Sequence, residues 1–456
     1  MINQLIDPAF LKDRVKDIAR LLDERATMLA SGTAAAEAEK HEVTAEQLKA
    51  ASELVAQLDT QADFSRDATQ AAWLPCDPHL SIIQSSLEQV YREAGAVEKA
   101  ERQGLAGSAD PITDETLKED WIPSMQRPLF RQAEEWDVLG WALSFAVARG
   151  LAALSRRPDF PSPSAPATLG KKARLILVGD WASGVPRAAK VAEQMKKHFL
   201  APEAADRDRH VIHLGDVYYA GREFEFEGRM ADQWPVGYEH AAAVSSWSLP
   251  GNHDMFAGGQ PYYDFLKRDT RFARQNACSH FALENEDWLV LGLDSAFTLE
   301  GLKGDVGALA APQAQWVATR IENAPNKKII LLSHHQPFSG WENPSPKMIA
   351  ALTPLLERTR PVEAWFWGHE HRCAVYEPAH NIKYPALIGH GGVPVYSSHT
   401  APRDYLLRYH DTRSFRYMGE SFSYMGFAVL DLDGEFGKVR YIDENGVVRP
   451  EVDGIG

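Results

Sequence analysis

Five short stretches of this chain carry side chains that bind metal ions, and each follows directly on an apolar run. They are Gly179-Asp180, Gly215-Asp216 with Tyr219, Pro250-Gly251-Asn252-His253-Asp254, Ser333-His334-His335 and Gly368-His369-Glu370-His371. Carboxylates and imidazoles ligate divalent and trivalent ions. A tyrosine phenolate, whose parent phenol titrates near ~10, suits only a strongly polarising, oxygen-seeking ion such as ferric iron. Asp216 is the hub of the set, a carboxylate placed to be shared by two ions. The glycines before Asp180, Asp216, Asn252 and His369 let the backbone turn sharply or approach an ion. Taken singly, Asp180 reads as a cap and Asn252 as a turn residue. Read together and in this order they describe one metal site, because strand ends gather on one rim of an open α/β sheet.

The elements that must position these residues are short apolar runs between helical or irregular pieces. Residues 174–178, 210–214, 244–249, 288–293, 329–332, 364–367 and 384–388 read as buried strands. Between the first two, residues 185–200 carry Pro186 near the start and Val191, Met195 and Phe199 at steps of four, which predicts a crossover helix. A second helix is expected from Pro312, with Trp316 and Ile321. Residues 427–442 alternate around Asp433-Gly434 and predict a hairpin closing a sheet edge.

Residues 1–155 lack this strand pattern and read as a helical N-terminal domain, with Leu11, Val15, Ile18 and Leu22 on one face and Leu48, Leu54, Val55 and Leu58 on another. Trp121, Trp136 and Trp141 are candidate anchors for this region on another surface. A Pro-rich linker over residues 156–171 separates it from a domain spanning 172–456.

The 456 residues exceed one typical domain, and 45% hydrophobic with 24% charged residues describes a soluble globular protein. A net charge of -15 argues against general affinity for nucleic acid, yet a small cationic site still attracts a small phosphate ester. The first sixteen residues show no secretory pattern, so a cytoplasmic location is expected. Cys76, Cys278 and Cys373 are too widely spaced for a disulfide framework or zinc cluster and read as buried small hydrophobes. Residues 138–154 are apolar but fall short of the ~20 residues a membrane span needs, so a packed core helix is expected there.

The ordered motifs GD, GD, GNH, a histidine after an apolar strand, and GHxH resemble the calcineurin-like metallophosphoesterase superfamily over roughly residues 172–400. Most of its members carry a histidine two residues after the first aspartate, where this chain has Ala182. The spacing Asp216-Val217-Tyr218-Tyr219 resembles instead the purple acid phosphatase branch, whose GDxxY supplies a tyrosine to ferric iron. The resemblance implies a two-sheet α/β sandwich flanked by helices. It also implies a first ion held by Asp180, Asp216, Tyr219 and His371, and a second by Asp216, Asn252, His334 and His369. His335, its neighbour, competes with His334 for that role and is otherwise a substrate contact, as is His390 in Gly389-His390-Gly391-Gly392.

By the same resemblance His253 touches the phosphate and protonates the leaving oxygen, with Asp254 orienting its ring. Ferric iron plus a divalent iron, zinc or manganese ion brings five positive charges against four from Asp180, Asp216, Tyr219 and a bridging hydroxide, which leaves a cationic hole for phosphate. The implied reaction is attack by metal-bound hydroxide on a phosphomonoester or phosphodiester. Purple acid phosphatases usually place a further histidine where residues 336–348 here have none. Two other readings stand beside this one: a metal-binding scaffold that docks a protein partner or a second copy through its N-terminal helices, and a polynucleotide phosphodiesterase.

Overall fold

Apolar runs without alternation need cover on both faces, and two facing sheets with outer helices provide it. The computed structural model describes residues 15, 16, 19, 20, 22–24, 26–28, 30, 31, 45–61, 81, 82 and 85, and residues 159–456 apart from 164, 299–305, 396, 398–406, 418, 419, 450, 451 and 456. The chain divides into two compact units, Met1–Arg156 with Phe256–Gly258, and Arg157–Met255 with Gly259–Gly456.

In the first unit, residues 15–30 are helical where described, and helix α1 spans Ala45–Gln61. Val15 and Leu22, and Leu48 and Val55, are buried at seven-residue spacings, and the Ser52 hydroxyl donates to the Ala19 carbonyl at 2.7 Å. The expected tryptophan anchors, the apolar stretch 138–154 and Cys76 lie outside the described residues. Among the described residues no helix is long and apolar enough to cross a membrane.

The second unit opens with strand β1 (Ala167–Thr168) and then builds a six-stranded sheet from β2 (Lys172–Val178), β3 (Asp208–His213) and β4 (Val244–Ser248). These three are parallel and joined in register. Helix α2 (Pro186–Leu200) links the first two and buries Val191, Met195 and Phe199 as its spacing predicts. The eight-stranded sheet contains β5 (Phe281–Glu284), β6 (Trp288–Leu293), β7 (Lys328–Ser333), β8 (Val362–Trp367), β9 (Cys373–Tyr376), β10 (Ile382–Ile388) and β11 (Leu407–His410) in the order β1-β5-β6-β7-β8-β10-β9-β11. A two-stranded piece, β12 (Ser414–Tyr417) and β13 (Glu420–Ser423), precedes the C-terminal strands β14 (Gly426–Asp433), β15 (Phe436–Asp443) and β16 (Val452–Ile455).

Leu175, Leu177, Ile212 and Trp247 of the first sheet meet Val290, Ile330, Leu332 and Phe366 of the second in one buried core. The outer face of the second sheet is covered by helices over Ala311–Glu322 and Pro346–Leu356, through Val317, Ile321, Leu352 and Leu355. The expected hairpin forms at Gly434, but β14 pairs with β2 as well as β15, so the sheet edge falls to β16. Cys278 and Cys373 are buried thiols.

Two registers set up everything that follows. Val178, His213 and Ser248 lie side by side at the ends of β2, β3 and β4, and Ser333, Trp367 and Leu387 do so in β7, β8 and β10. Each of these strands runs on into one of the polar motifs, so the level ends deliver all of them to one rim.

Candidate metal centre

Asp216 sits where loops of the two sheets meet, between Gly251 after β4 and His334 after β7. It has a left-handed φ of 73°, after Gly215 at 110°. A side chain at Gly215 would lie 2.7 Å from both Gly251 N and His334 Nδ1, and one at Gly251 only 2.1 Å from Asp216 Oδ1. Both glycines are therefore required for close approach rather than for a turn alone.

The two carboxylate oxygens of Asp216 face different neighbours. On the Oδ1 side lie His334 Nε2 at 3.5 Å and the His253 backbone N–H, which donates at 3.0 Å. His334 Nδ1 is 3.0 Å from the Leu214 carbonyl, a contact that fixes the proton on Nδ1 and turns the Nε2 lone pair inward. That lone pair meets Asn252 Oδ1 at 3.0 Å and His369 Nδ1 at 3.2 Å, while Asn252 Oδ1 and His369 Nδ1 are 3.1 Å apart.

On the Oδ2 side the Tyr218 hydroxyl lies 3.2 Å away. The same hydroxyl is 2.9 Å from Asp180 Oδ1 and 3.0 Å from His371 Nε2, and His371 Nε2 is 3.4 Å from Asp180 Oδ1. Asp180 Oδ2 accepts from the His369 backbone N–H at 2.8 Å.

The geometry departs from the sequence expectation at Tyr219. The phenol that reaches Asp180 and His371 is that of Tyr218, while the Tyr219 ring packs 5.0 Å below the Arg229 guanidinium. Val217 forms a single isolated bridge to Ala182, and the Tyr218 N–H donates to the Ala182 carbonyl at 3.1 Å as the chain enters the turn that carries both tyrosines. The Tyr219 N–H is held by Glu225 Oε1 at 2.5 Å and its carbonyl by His253 Nδ1 at 2.5 Å.

Asp254 also departs from its expected task. The contact that orients the His253 ring is the Tyr219 carbonyl. The Asp254 carboxylate instead accepts backbone N–H groups from Gly251 at 2.6 Å, Asp216 at 3.0 Å and Val217 at 2.9 Å. Of the histidine pair, His334 takes the position beside Asp216 and Asn252. His335 packs its ring 4.9 Å from that of His369, with Nδ1 2.9 Å from the Ser295 hydroxyl. His390 is buried on the same rim, beside the loop of Gly179, whose carbonyl accepts from Gly391 N–H at 3.0 Å.

Three residues outside the motifs support this arrangement. Glu225, fully buried, accepts the N–H groups of Tyr219, Ala220 at 3.1 Å and Arg222 at 2.8 Å, and so holds the loop that presents Tyr218. Arg229 donates to the Tyr218 carbonyl, and Ser295 steadies His335. An acid four residues before an arginine, Glu225 and Arg229, looks in sequence like an ordinary helical pair.

The donor set fits a pair of cations. Burial, with Asp180 and Asp254 close by, holds the Asp216 carboxyl well above its usual range. Burial, and then the Asp180 and Asp216 carboxylates, push the Tyr218 phenol well up. Burial, with neighbouring imidazoles, pulls His334 and His369 well below theirs, which keeps them in the neutral form that ligates. Among the described residues no lysine or arginine pairs with Asp180, Asp216 or Asp254, so these buried acids need positive charge from elsewhere. Ligand atoms of Asp180, Asp216 and His334 lie within 4.8 Å of one another, as do those of His334, His335 and His369.

The calcineurin-like phosphoesterase family matches residues 173–373, and that part of the chain is a domain of this kind. A curated relative, the probable glycerophosphodiester phosphodiesterase GpdQ of Arcobacter nitrofigilis, is 30% identical over 141 residues, which are 28% of this chain and 46% of the relative. The chain thus spans about half the length of that relative. Among solved structures, the GAP50 anchor of the Plasmodium inner membrane complex is similar at 14% identity and a TM-score of 0.45, covering 62% of this chain and 88% of that one. PhoD is similar at 11% identity and 0.39, covering 64% and 73%. Similarity this distant bears on neither activity nor partners.

Proposed function

We propose that this chain hydrolyses small phosphate esters with two cations held on either side of Asp216, and that Tyr218 completes the first of the two positions. The observation that carries this reading is the division of one carboxylate between two sets of converging donors. Asp180, Tyr218, His371 and Asp216 Oδ2 would hold one cation, and Asn252, His334, His369 and Asp216 Oδ1 the other. When bound, such a pair polarises a phosphoryl oxygen and acidifies a water toward neutral pH.

The protein's own groups do the rest. His253, held through Nδ1 by the Tyr219 carbonyl, presents its Nε2 edge to the ester; an anionic phosphate supplies the negative charge that favours a proton there, for delivery to the leaving oxygen. Asp254 keeps the loops after β3 and β4 at fixed separation through the three N–H groups it accepts. His335, steadied by Ser295, is a further contact for a phosphoryl oxygen.

A phenol within the first donor set supports ferric iron there, with divalent iron, zinc or manganese in the second position, and so a purple acid phosphatase-like chemistry. The name of the curated relative supports counting diesters among the substrates. The deciding experiment loads purified protein with metal and measures hydrolysis of 4-nitrophenyl phosphate and bis(4-nitrophenyl) phosphate. Turnover that vanishes in Asp216→Ala together with both ions is the expected result. Protein with both ions bound that cleaves no ester would sink the reading in favour of a metal-binding scaffold.

A further inference from the structure

Glu370 stands between the two histidines of the fifth motif and belongs to neither donor set. The turn over residues 368–372 joins β8 to β9 and must send the two rings apart. His369 Nδ1 goes to Asn252 Oδ1 and His334 Nε2 at 3.1 and 3.2 Å, and His371 Nε2 to the Tyr218 hydroxyl and Asp180 Oδ1 at 3.0 and 3.4 Å. The division depends on a left-handed residue, His369 at φ 68°, a conformation that a residue with a Cβ keeps only where its surroundings impose it. Asp180 Oδ2 holds the turn at the His369 N–H, 2.8 Å away. The second hold is at Glu370.

The Glu370 side chain is buried, and its Oε2 accepts the Ser339 hydroxyl proton at 2.5 Å. The same Ser339 oxygen accepts the N–H groups of Trp341 at 2.8 Å and Glu342 at 3.0 Å. One proton given and two received use the whole capacity of a hydroxyl, so its direction is fixed. The Ser339 loop is in turn braced on the sheet: the Phe338 ring packs 5.6 Å from that of Trp367 and 5.4 Å from that of Tyr376. On the far side, a side chain at Gly389 would come 2.6 Å from the Glu370 carbonyl, so the turn has no slack there either. Glu370 is thus gripped at its carboxylate and closely packed at its peptide, with a ligand on either side of it.

We propose that Glu370 is a positioning residue whose bond to Ser339 fixes the turn that divides His369 and His371 between the two cations; the proposal rests on the two-cation reading above. The test titrates zinc into metal-free protein against a competing chelator, and records urea unfolding of the same samples without metal. Wild type should take up two zinc ions. Glu370→Ala and Ser339→Ala should each bind both about 10–100-fold more weakly, the worth of a contact that orients a ligand. Glu370→Gln, which still offers Ser339 an oxygen, should bind as wild type does. Ser339→Ala removes only a hydroxyl and decides the matter alone if Glu370→Ala does not fold. Folded alanine variants that bind both ions as wild type does, and lose only stability, would overturn the proposal, since Glu370 would then brace its loop and nothing more. Weakening at one position alone would overturn it too, because the turn serves both rings. So would a Glu370→Gln as weak as Glu370→Ala, which would put the charge in place of the bond to Ser339. A wild type that takes up fewer than two ions would bring down the two-cation reading and this proposal with it.

Discussion

Replacing Tyr218 by phenylalanine removes one oxygen from the point where Asp180, Asp216 and His371 converge, at 2.9, 3.2 and 3.0 Å. A phenol has one proton and serves one buried carboxylate at a time, so metal-free protein should lose one hydrogen bond to a charged group, about 1.5–3 kcal/mol. Metal-loaded protein should lose more. A supporting contact to a ligand is worth about 10–100-fold in metal affinity, and a direct donor at least as much. Tyr219→Phe should do neither, because that ring packs under Arg229 and its backbone contacts survive the substitution. The assay is metal content after dialysis, read beside the visible spectrum of iron-loaded protein, where a phenolate on ferric iron gives a broad charge-transfer band. Tyr218→Phe should bleach the band and shed metal while Tyr219→Phe keeps both. The opposite order would refute the placement of Tyr218; a colourless wild type would refute iron and leave the metal-content comparison to decide the rest.

Three further outcomes follow from the same geometry. Gly251→Ala puts a methyl 2.1 Å from Asp216 Oδ1 and should abolish binding of both ions, checked by elemental analysis, since backbone and carboxylate have no room to part. Glu225→Ala strands the buried N–H groups of Tyr219 and Ala220 at about 1–3 kcal/mol each and should cost roughly 2–6 kcal/mol in urea unfolding, the half-buried Arg222 N–H turning to water; a loss under about 1 kcal/mol would mean that water replaces the carboxylate without penalty. His213, fully buried with neither ring nitrogen bonded, is pulled down to about 3 by burial. The unfolded chain therefore takes up a proton near the ordinary value while the native one does not, and stability present above about pH 6.5 is lost as pH falls toward about 3. His213→Phe should flatten that fall in urea midpoints taken along an acid series, and an unchanged slope would exclude this histidine as the cause.

What the sequence reveals here follows the strength of its periodic signals. All seven strands read from apolar runs are present, because a run buried on both faces leaves little room for another reading. The four-residue strands at Phe281, Cys373 and Leu407 escape, being too short to carry a period, and β16 escapes because glycine interrupts it. The centre itself divides along the same line. Ligand-bearing motifs that end a strand are legible, since position after an apolar run fixes which rim they reach. The GDxxY spacing names Tyr219, whereas the phenol that reaches the carboxylates is that of Tyr218, a choice made by the turn over residues 218–220, which no motif spacing encodes. Glu225 and Ser295 are invisible for a different reason: they act on backbone and on a neighbouring ring, and a lone acid or serine in a loop has no spacing to betray it.

The Asp254 carboxylate, spending both its oxygens on the chain rather than on any ion, gives the centre the character of a socket. Its outline is drawn by peptide groups, which stay put when the contents are withdrawn. A chelated sample should therefore refill at the pace of diffusion instead of refolding, and which pair of ions sits there in a cell becomes a matter of supply.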